Sequence, residues 1–328
     1  MSKFHSFSVV LAALVALLAA TVIGCDSDDS AMSGDDRIDV VVTTTMLEDA
    51  VEQIGGEHFE VHSLVNVGAD PHVYQPQPND ARMVADSDVV VMNGLMLEGW
   101  MESLVRNAGG ERPVIVGGEA IDEEALIRVE GAIDPHVWFD VGMWRQVTDR
   151  VASSLVELTD DDEVAADIAA RHAGYDQILE QLDDWVDERM ASVPDEQRVL
   201  ITSHDAFNYF GNAYGIDVEA VQGLSTEQEA SQRDVANIID LVEARNAPAV
   251  FTETSVNPGL IEQVARETGI ERAGPLYSDS VGPADSGADT YVGMVRANVE
   301  MITEALGGDY EGFDEEALTA ADEEGEGA

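Results

Sequence analysis

The stretch DDDEVAADIAARHAGYDQILEQLDDWVDERMASV, residues 160–193, decides the fold. It carries no strand signal. Ile168, Tyr175, Ile178, Leu179, Leu182, Trp185 and Val186 recur along one side at helical spacing. Gly174 is its single interruption, and Pro194 with Asp195 closes it, so the spacing predicts one long, stiff helix.

On both sides of this segment the pattern changes. Ile38–Thr43, Asp88–Met92, Pro113–Val116, Val199–Thr202, Ile216–Ala220 and Pro248–Thr252 are short β-branched runs bounded by turn residues, which read as buried strands. Helical patterns over Leu47–Ile54, Leu95–Arg106, Val141–Leu158, Glu229–Ala244 and Asn257–Thr268 alternate with them. Such alternation predicts an α/β fold with mostly parallel sheets. The expected organisation is an α/β lobe over residues 38–158, a linking helix over 159–194 and a second α/β lobe over 195–306. Each lobe is of ordinary domain size. Ligands in parallel sheets bind outside the carboxyl ends of the strands, and Thr202-Ser203-His204 and Thr252-Glu253-Thr254 fall at two such ends.

Histidine is scarce, seven in 328 residues, yet three sit where strands pass into loops. They close Gly68-Ala69-Asp70-Pro71-His72, Ile133-Asp134-Pro135-His136 and Ile201-Thr202-Ser203-His204, and Tyr277-Ser278-Asp279-Ser280 adds an isolated carboxylate. Imidazole nitrogen is the commonest protein ligand for a first-row metal, so this pattern points to one converged metal site. Singly, each residue also has a structural explanation. His72 would serve as a loop histidine, His136 as a packed ring, His204 as the cap of a helix near Asp205 and Asp279 as a turn residue. His58, His62 and His172 lie on polar faces outside the pattern.

The ends and the charge bound the setting. Residues 1–24, with Lys3 followed by an apolar run from Val9 to Ile23, read as a signal peptide. The run is shorter than the ~20 residues of a spanning helix. Cys25 stands just after the run, behind Gly24, and as the single cysteine it excludes an intrachain disulfide. Its position resembles a lipoprotein acylation site, with residues 25–37 as a flexible acidic tether to a membrane surface and the protein outside the cytoplasm. Residues 307–328 read as a disordered acidic tail. With 16 basic and 66 acidic residues the formal net charge is −50, which repels nucleic acid and excludes it as a partner. The acids are spread over every predicted helix face and point to a halophilic source, because high salt screens such self-repulsion.

The motifs, taken in order, carry a resemblance. They are Gly68-Ala69-Asp70-Pro71-His72-Val73-Tyr74-Gln75-Pro76, Asp134-Pro135-His136-Val137-Trp138-Phe139-Asp140, and Thr202-Ser203-His204-Asp205-Ala206-Phe207-Asn208-Tyr209-Phe210. Gly223-Leu224-Ser225-Thr226-Glu227, Phe251-Thr252-Glu253-Thr254-Ser255 and Leu276-Tyr277-Ser278-Asp279-Ser280 follow. Over residues 38–306 the chain resembles the TroA-like (cluster A-I) substrate-binding lipoproteins of zinc and manganese ABC importers. The resemblance implies two lobes joined by a rigid helix, with a metal buried between them. It implies His72 and His136 as nitrogen ligands of the first lobe, His204 as the first ligand of the second, and Asp279 as the carboxylate. Glu253 is then expected to orient a ligand, with Asp70 and Asp134 orienting backbone or ring N–H groups.

The implied partner is an ABC permease, the cargo zinc or manganese, the chain a monomer, and no catalytic cofactor is expected. His204 tilts the donor set towards zinc. The lack of histidine in residues 117–132 and the manganese-type character of Leu276–Val295 tilt it back. The alternatives are a zinc-dependent hydrolase built on the same histidines, which would need an open coordination position, or a surface adhesin. No His-Glu-x-x-His or Gly-x-Ser-x-Gly segment supports an enzyme.

Overall fold

The computed structural model describes residues 37–228 and 230–314. The expected signal segment, Cys25, the tether up to Asp36 and residues 315–328 lie outside the described residues.

The first lobe runs β1 (Ile38–Val42), α1 (Thr45–Gly55), β2 (Phe59–Ser63), α2 (Pro78–Asp86), β3 (Val89–Met92), α3 (Met101–Ala108) and β4 (Val114–Val116). A short hairpin, β5 (Arg128–Val129) and β6 (Ala132–Ile133), leads to α4 (Val141–Leu158). The four strands β2-β1-β3-β4 form a parallel sheet, with Val40 beside Val61 on one flank and Val89 on the other. After α5 (Asp162–Ala191), the second lobe runs β7 (Val199–His204), α6 (Asn208–Tyr214), β8 (Asp217–Gln222), α7 (Gln232–Arg245), β9 (Ala249–Glu253), α8 (Gly259–Thr268), β10 (Glu271–Leu276) and α9 (Tyr291–Ala305). β7 pairs with β8 and β9 with β10, both in parallel, and β7 lies alongside β9.

Side-chain alternation sorts each sheet into two faces. Val40, Val42, Val89 and Val91 point to a central core, whereas Val41 and Val90 meet Val84, Met101 and Leu104 beneath α2 and α3. In the second lobe Leu200, Ala249 and Phe251 face the central core, while Val199, Ile201 and Val250 pack under α7 and α8. The central core is continuous across both lobes, because α5 lies on α1 and α4 of the first and on α6 and α9 of the second. Leu179, Leu182, Val186 and Met190 of α5 are 0% exposed. Full burial of such side chains is worth about 1.5–3 kcal/mol each. The helix therefore holds the lobes as one packed body on its side of the molecule.

Two sequence expectations need correction. A helix was expected from Leu95, but α3 begins at Met101. The buried Glu98 carboxylate accepts from the N–H groups of Asn93 (2.8 Å) and Gly94 (3.0 Å) and from the Thr43 hydroxyl (2.5 Å). These bonds draw the chain into a turn in which Leu95 and Met96 take positive φ, 53° and 70°. The expected tail also begins in packed form. Trp185 Nε1 donates to the Glu311 carbonyl (2.8 Å), and Tyr310 and Phe313 lie against the Trp185 ring, so two aromatic side chains dock residues 309–313 onto α5.

Candidate metal centre

The loop after β2 supplies His72, and the segment after β6 supplies His136. The last residue of β7 is His204, and Asp279 lies three residues beyond β10. The fold brings all four together: one ligand atom from each lies within 4.8 Å of the others. His72 is 7% exposed, Asp279 1%, and His136 and His204 0%. His72 Nε2 is 3.1 Å from His136 Nε2, and Asp279 Oδ1 is 3.8, 3.7 and 3.6 Å from the Nε2 atoms of His72, His136 and His204. A tetrahedron with metal–ligand bonds of ~2.0–2.1 Å has edges of about 3.3 Å, so the spacing suits an ion held by three nitrogens and one oxygen. His58 instead pairs with Asp167 on α5 (3.0 Å), and His62 is exposed on β2.

Fixed partners aim the donors. His136 donates its Nδ1–H to Asp134 Oδ1 (2.7 Å), and the same oxygen accepts from the His136 backbone N–H (3.0 Å). His204 Nδ1 lies 2.5 Å from Glu253 Oε2, whose other oxygen accepts from the His204 backbone (2.9 Å). With Nδ1–H committed in each ring, the Nε2 lone pairs are the free donors. Asp70 accepts from the His72 backbone (2.8 Å) and reaches across the cleft to the Thr226 hydroxyl. Asp134 crosses too: Asn208 Nδ2 donates to its Oδ2 (3.0 Å) and Tyr209 donates to its carbonyl (2.9 Å). Trp138 stands edge-on to the His136 ring at 5.2 Å and donates Nε1–H to the Ser278 carbonyl (2.9 Å), joining one ligand loop to the next.

Gly274 lets β10 press against β9 beside Glu253. Its φ is +96°, and a Cβ there would lie 2.6 Å from the Thr252 carbonyl oxygen. Among the described residues, His204 Nε2 and Asp279 Oδ1 are buried polar atoms with no hydrogen-bond partner. Orphaned buried groups cost about 1–3 kcal/mol each. Two of them aimed at one another across 3.6 Å, in company with two imidazoles, fit a cation.

Electrostatics agree. Burial and the neighbouring His136 push the His72 ring down to about 3. Burial opposes a charge on His204, but Glu253 and Asp279 outweigh it and hold its proton well above the ordinary histidine range. Burial also opposes the Asp279 charge, yet the imidazoles, His204 foremost, hold that carboxyl well below the usual range.

Sequence reasoning singled out the four clustered residues, Glu253, and both aspartates. It gave no role to Thr226, Ser255, Ser278 or Asn208, although each stood inside a quoted motif. Only a three-dimensional partner distinguishes these hydroxyls and this amide from ordinary loop residues.

Comparison with known proteins places this geometry in context. Residues 40–305 match the family described as zinc-uptake complex component A, periplasmic. The manganese-binding lipoprotein MntA of Bacillus subtilis is 38% identical over 306 residues, covering 91% of this chain and 98% of that protein. The zinc-binding protein TroA of Treponema pallidum is 36% identical over 273 residues, covering 81% of this chain and 88% of that protein. The solved structure of the periplasmic zinc-binding protein TroA superposes with a TM-score of 0.79, at 35% identity, over 82% of this chain and 99% of that one.

Proposed function

The chain belongs to the family of the periplasmic zinc-uptake component A, and from that premise we propose that it captures a divalent transition metal, zinc or manganese, outside the cytoplasm and hands it to an ABC-type permease. His72, His136, His204 and Asp279 hold the ion. Asp134 and Glu253 fix two of the rings, and acylated Cys25 ties the chain, as a monomer, to the membrane.

The observation that carries this reading is the pair of unpartnered buried atoms, His204 Nε2 and Asp279 Oδ1, facing two further imidazoles. Four protein donors complete a tetrahedron, which suits storage and release of cargo. A hydrolytic zinc would keep one position open for water. Relatives named for zinc and for manganese both share the fold's sequence, so both ions stay in the proposal.

The test is metal stoichiometry. Stripped protein titrated separately with zinc and with manganese, with bound metal read by mass spectrometry, should take up one ion per chain. His72→Ala and Asp279→Ala should abolish that uptake. Stoichiometric uptake that survives both substitutions would refute the site.

A further inference from the structure

The two oxygens of Asp279 have different surroundings. Oδ1 is buried, lacks a hydrogen-bond partner among the described residues and faces the imidazoles. Oδ2 lies 2.7 Å from the Ser255 hydroxyl and 2.9 Å from the Ser278 hydroxyl, and those two hydroxyls are 2.8 Å apart. Ser278 is fully buried and Ser255 half-buried. Two hydroxyl protons have three possible acceptors in this triangle. The ionised carboxylate is the strongest of them, so both protons go to Oδ2 as charge-assisted bonds. A carboxylate oxygen has two lone pairs, and the two serines use both.

The serines are themselves held. Ser255 follows β9, two residues after the Glu253 that grips His204. The Ser278 carbonyl is fixed by Trp138 Nε1, and the N–H of neighbouring Tyr277 is fixed by Asn298 Oδ1 (2.8 Å) on α9. For Asp279 to chelate an ion through both oxygens, Oδ2 must give up at least one of these bonds.

We infer that Ser255 and Ser278 are specificity-determining positioning residues that confine Asp279 to coordination through Oδ1 alone. The site then offers three nitrogens and one oxygen, the tetrahedral set that zinc accepts. It withholds the second carboxylate oxygen that manganese, which favours oxygen ligands and higher coordination, would use. This inference rests on the four residues being the metal site. It goes further by naming what sets their coordination number.

Cobalt(II) is the probe, because its visible d–d bands are intense when four-coordinate and weaken when a fifth ligand enters. The full chain loaded with cobalt should show the four-coordinate spectrum. Ser255→Ala/Ser278→Ala should shift it to the five-coordinate form and lower the ratio of zinc to manganese affinity about tenfold, the scale of partner substitutions around metal ligands. Ser255→Thr, which keeps the hydroxyl, should restore the parental spectrum and ratio. Ser255→Ala alone, at the half-buried position, should move both readouts in the same direction and serves if the double variant does not fold. A five-coordinate spectrum in the unaltered protein, or serine variants with unchanged spectrum and ratio, would overturn the inference while leaving the metal site standing. No stoichiometric cobalt uptake by the unaltered protein would instead sink the site itself.

Discussion

Asp70-Pro71-His72 and Asp134-Pro135-His136 are the same tripeptide, and each begins with the same local turn: the aspartate Oδ1 accepts from the backbone N–H of the histidine two residues on. Beyond that turn they part. Asp134 is 0% exposed, also grips the His136 ring, and crosses the lobes to Asn208 of α6, a helix rooted in the shared core. Asp70 is half-buried, leaves the His72 ring to its neighbours, and crosses to Thr226 in the loop between β8 and α7. One copy is an anchor deep in the interface and the other a latch at its mouth. A shared motif thus fixes the local turn, and burial decides what the turn is used for.

The largest expected effect comes from removing donors. His136→Ala and Asp279→Ala should each abolish stoichiometric zinc binding, measured by equilibrium competition with a chelator. Asp134→Ala should weaken zinc by about 10–100-fold, since it frees the ring that a buried carboxylate orients. Asp70→Ala should cost less than Asp134→Ala in the same titration, and equal losses would erase the distinction between anchor and latch.

Acidity gives the next effect. Glu253 and Asp279 raise the His204 ring above the usual range against its burial, so metal uptake through its Nε2 should release a proton. From neutral pH up to that raised value, affinity should climb about tenfold per pH unit. The His72 ring, pushed down to about 3 by burial and the neighbouring His136, should release no proton near neutrality. Calorimetry in buffers of different ionisation enthalpy reads the proton count directly. Zero protons released at pH 7 would contradict this charge assignment.

The smallest effects belong to the latch alone. Thr226→Val removes a single hydroxyl bond to the half-buried Asp70 carboxylate, worth about 1.5 kcal/mol, the low end for a charged acceptor, and should raise the zinc off-rate up to about tenfold with the on-rate little changed. The shared core should keep the radius of gyration nearly constant on metal addition. A large contraction in solution scattering would show that α5 does not hold the lobes as one body.

Much of this was legible in the chain. Periodicity located α4, α5 and most of the strands because their apolar residues face a core on one or both sides, as Val199, Leu200 and Ile201 of β7 do. Two edge strands, β2 and β10, were missed for a physical reason. β2, Phe59-Glu60-Val61-His62-Ser63, is an edge strand whose polar residues face solvent, and β10 contains Gly274 and Pro275, which a central strand would exclude. The four clustered side chains were legible as motifs. Their supports were not, because the reach from Asp70 to Thr226, or from Asp279 to Ser255, spans residues that no spacing rule connects.

X-ray absorption at the zinc edge of the loaded protein tests the central claim most directly. The predicted first shell is three imidazole nitrogens and one oxygen at ~2.0–2.1 Å. A shell with fewer than three imidazoles in the unaltered protein would contradict the site built from His72, His136, His204 and Asp279.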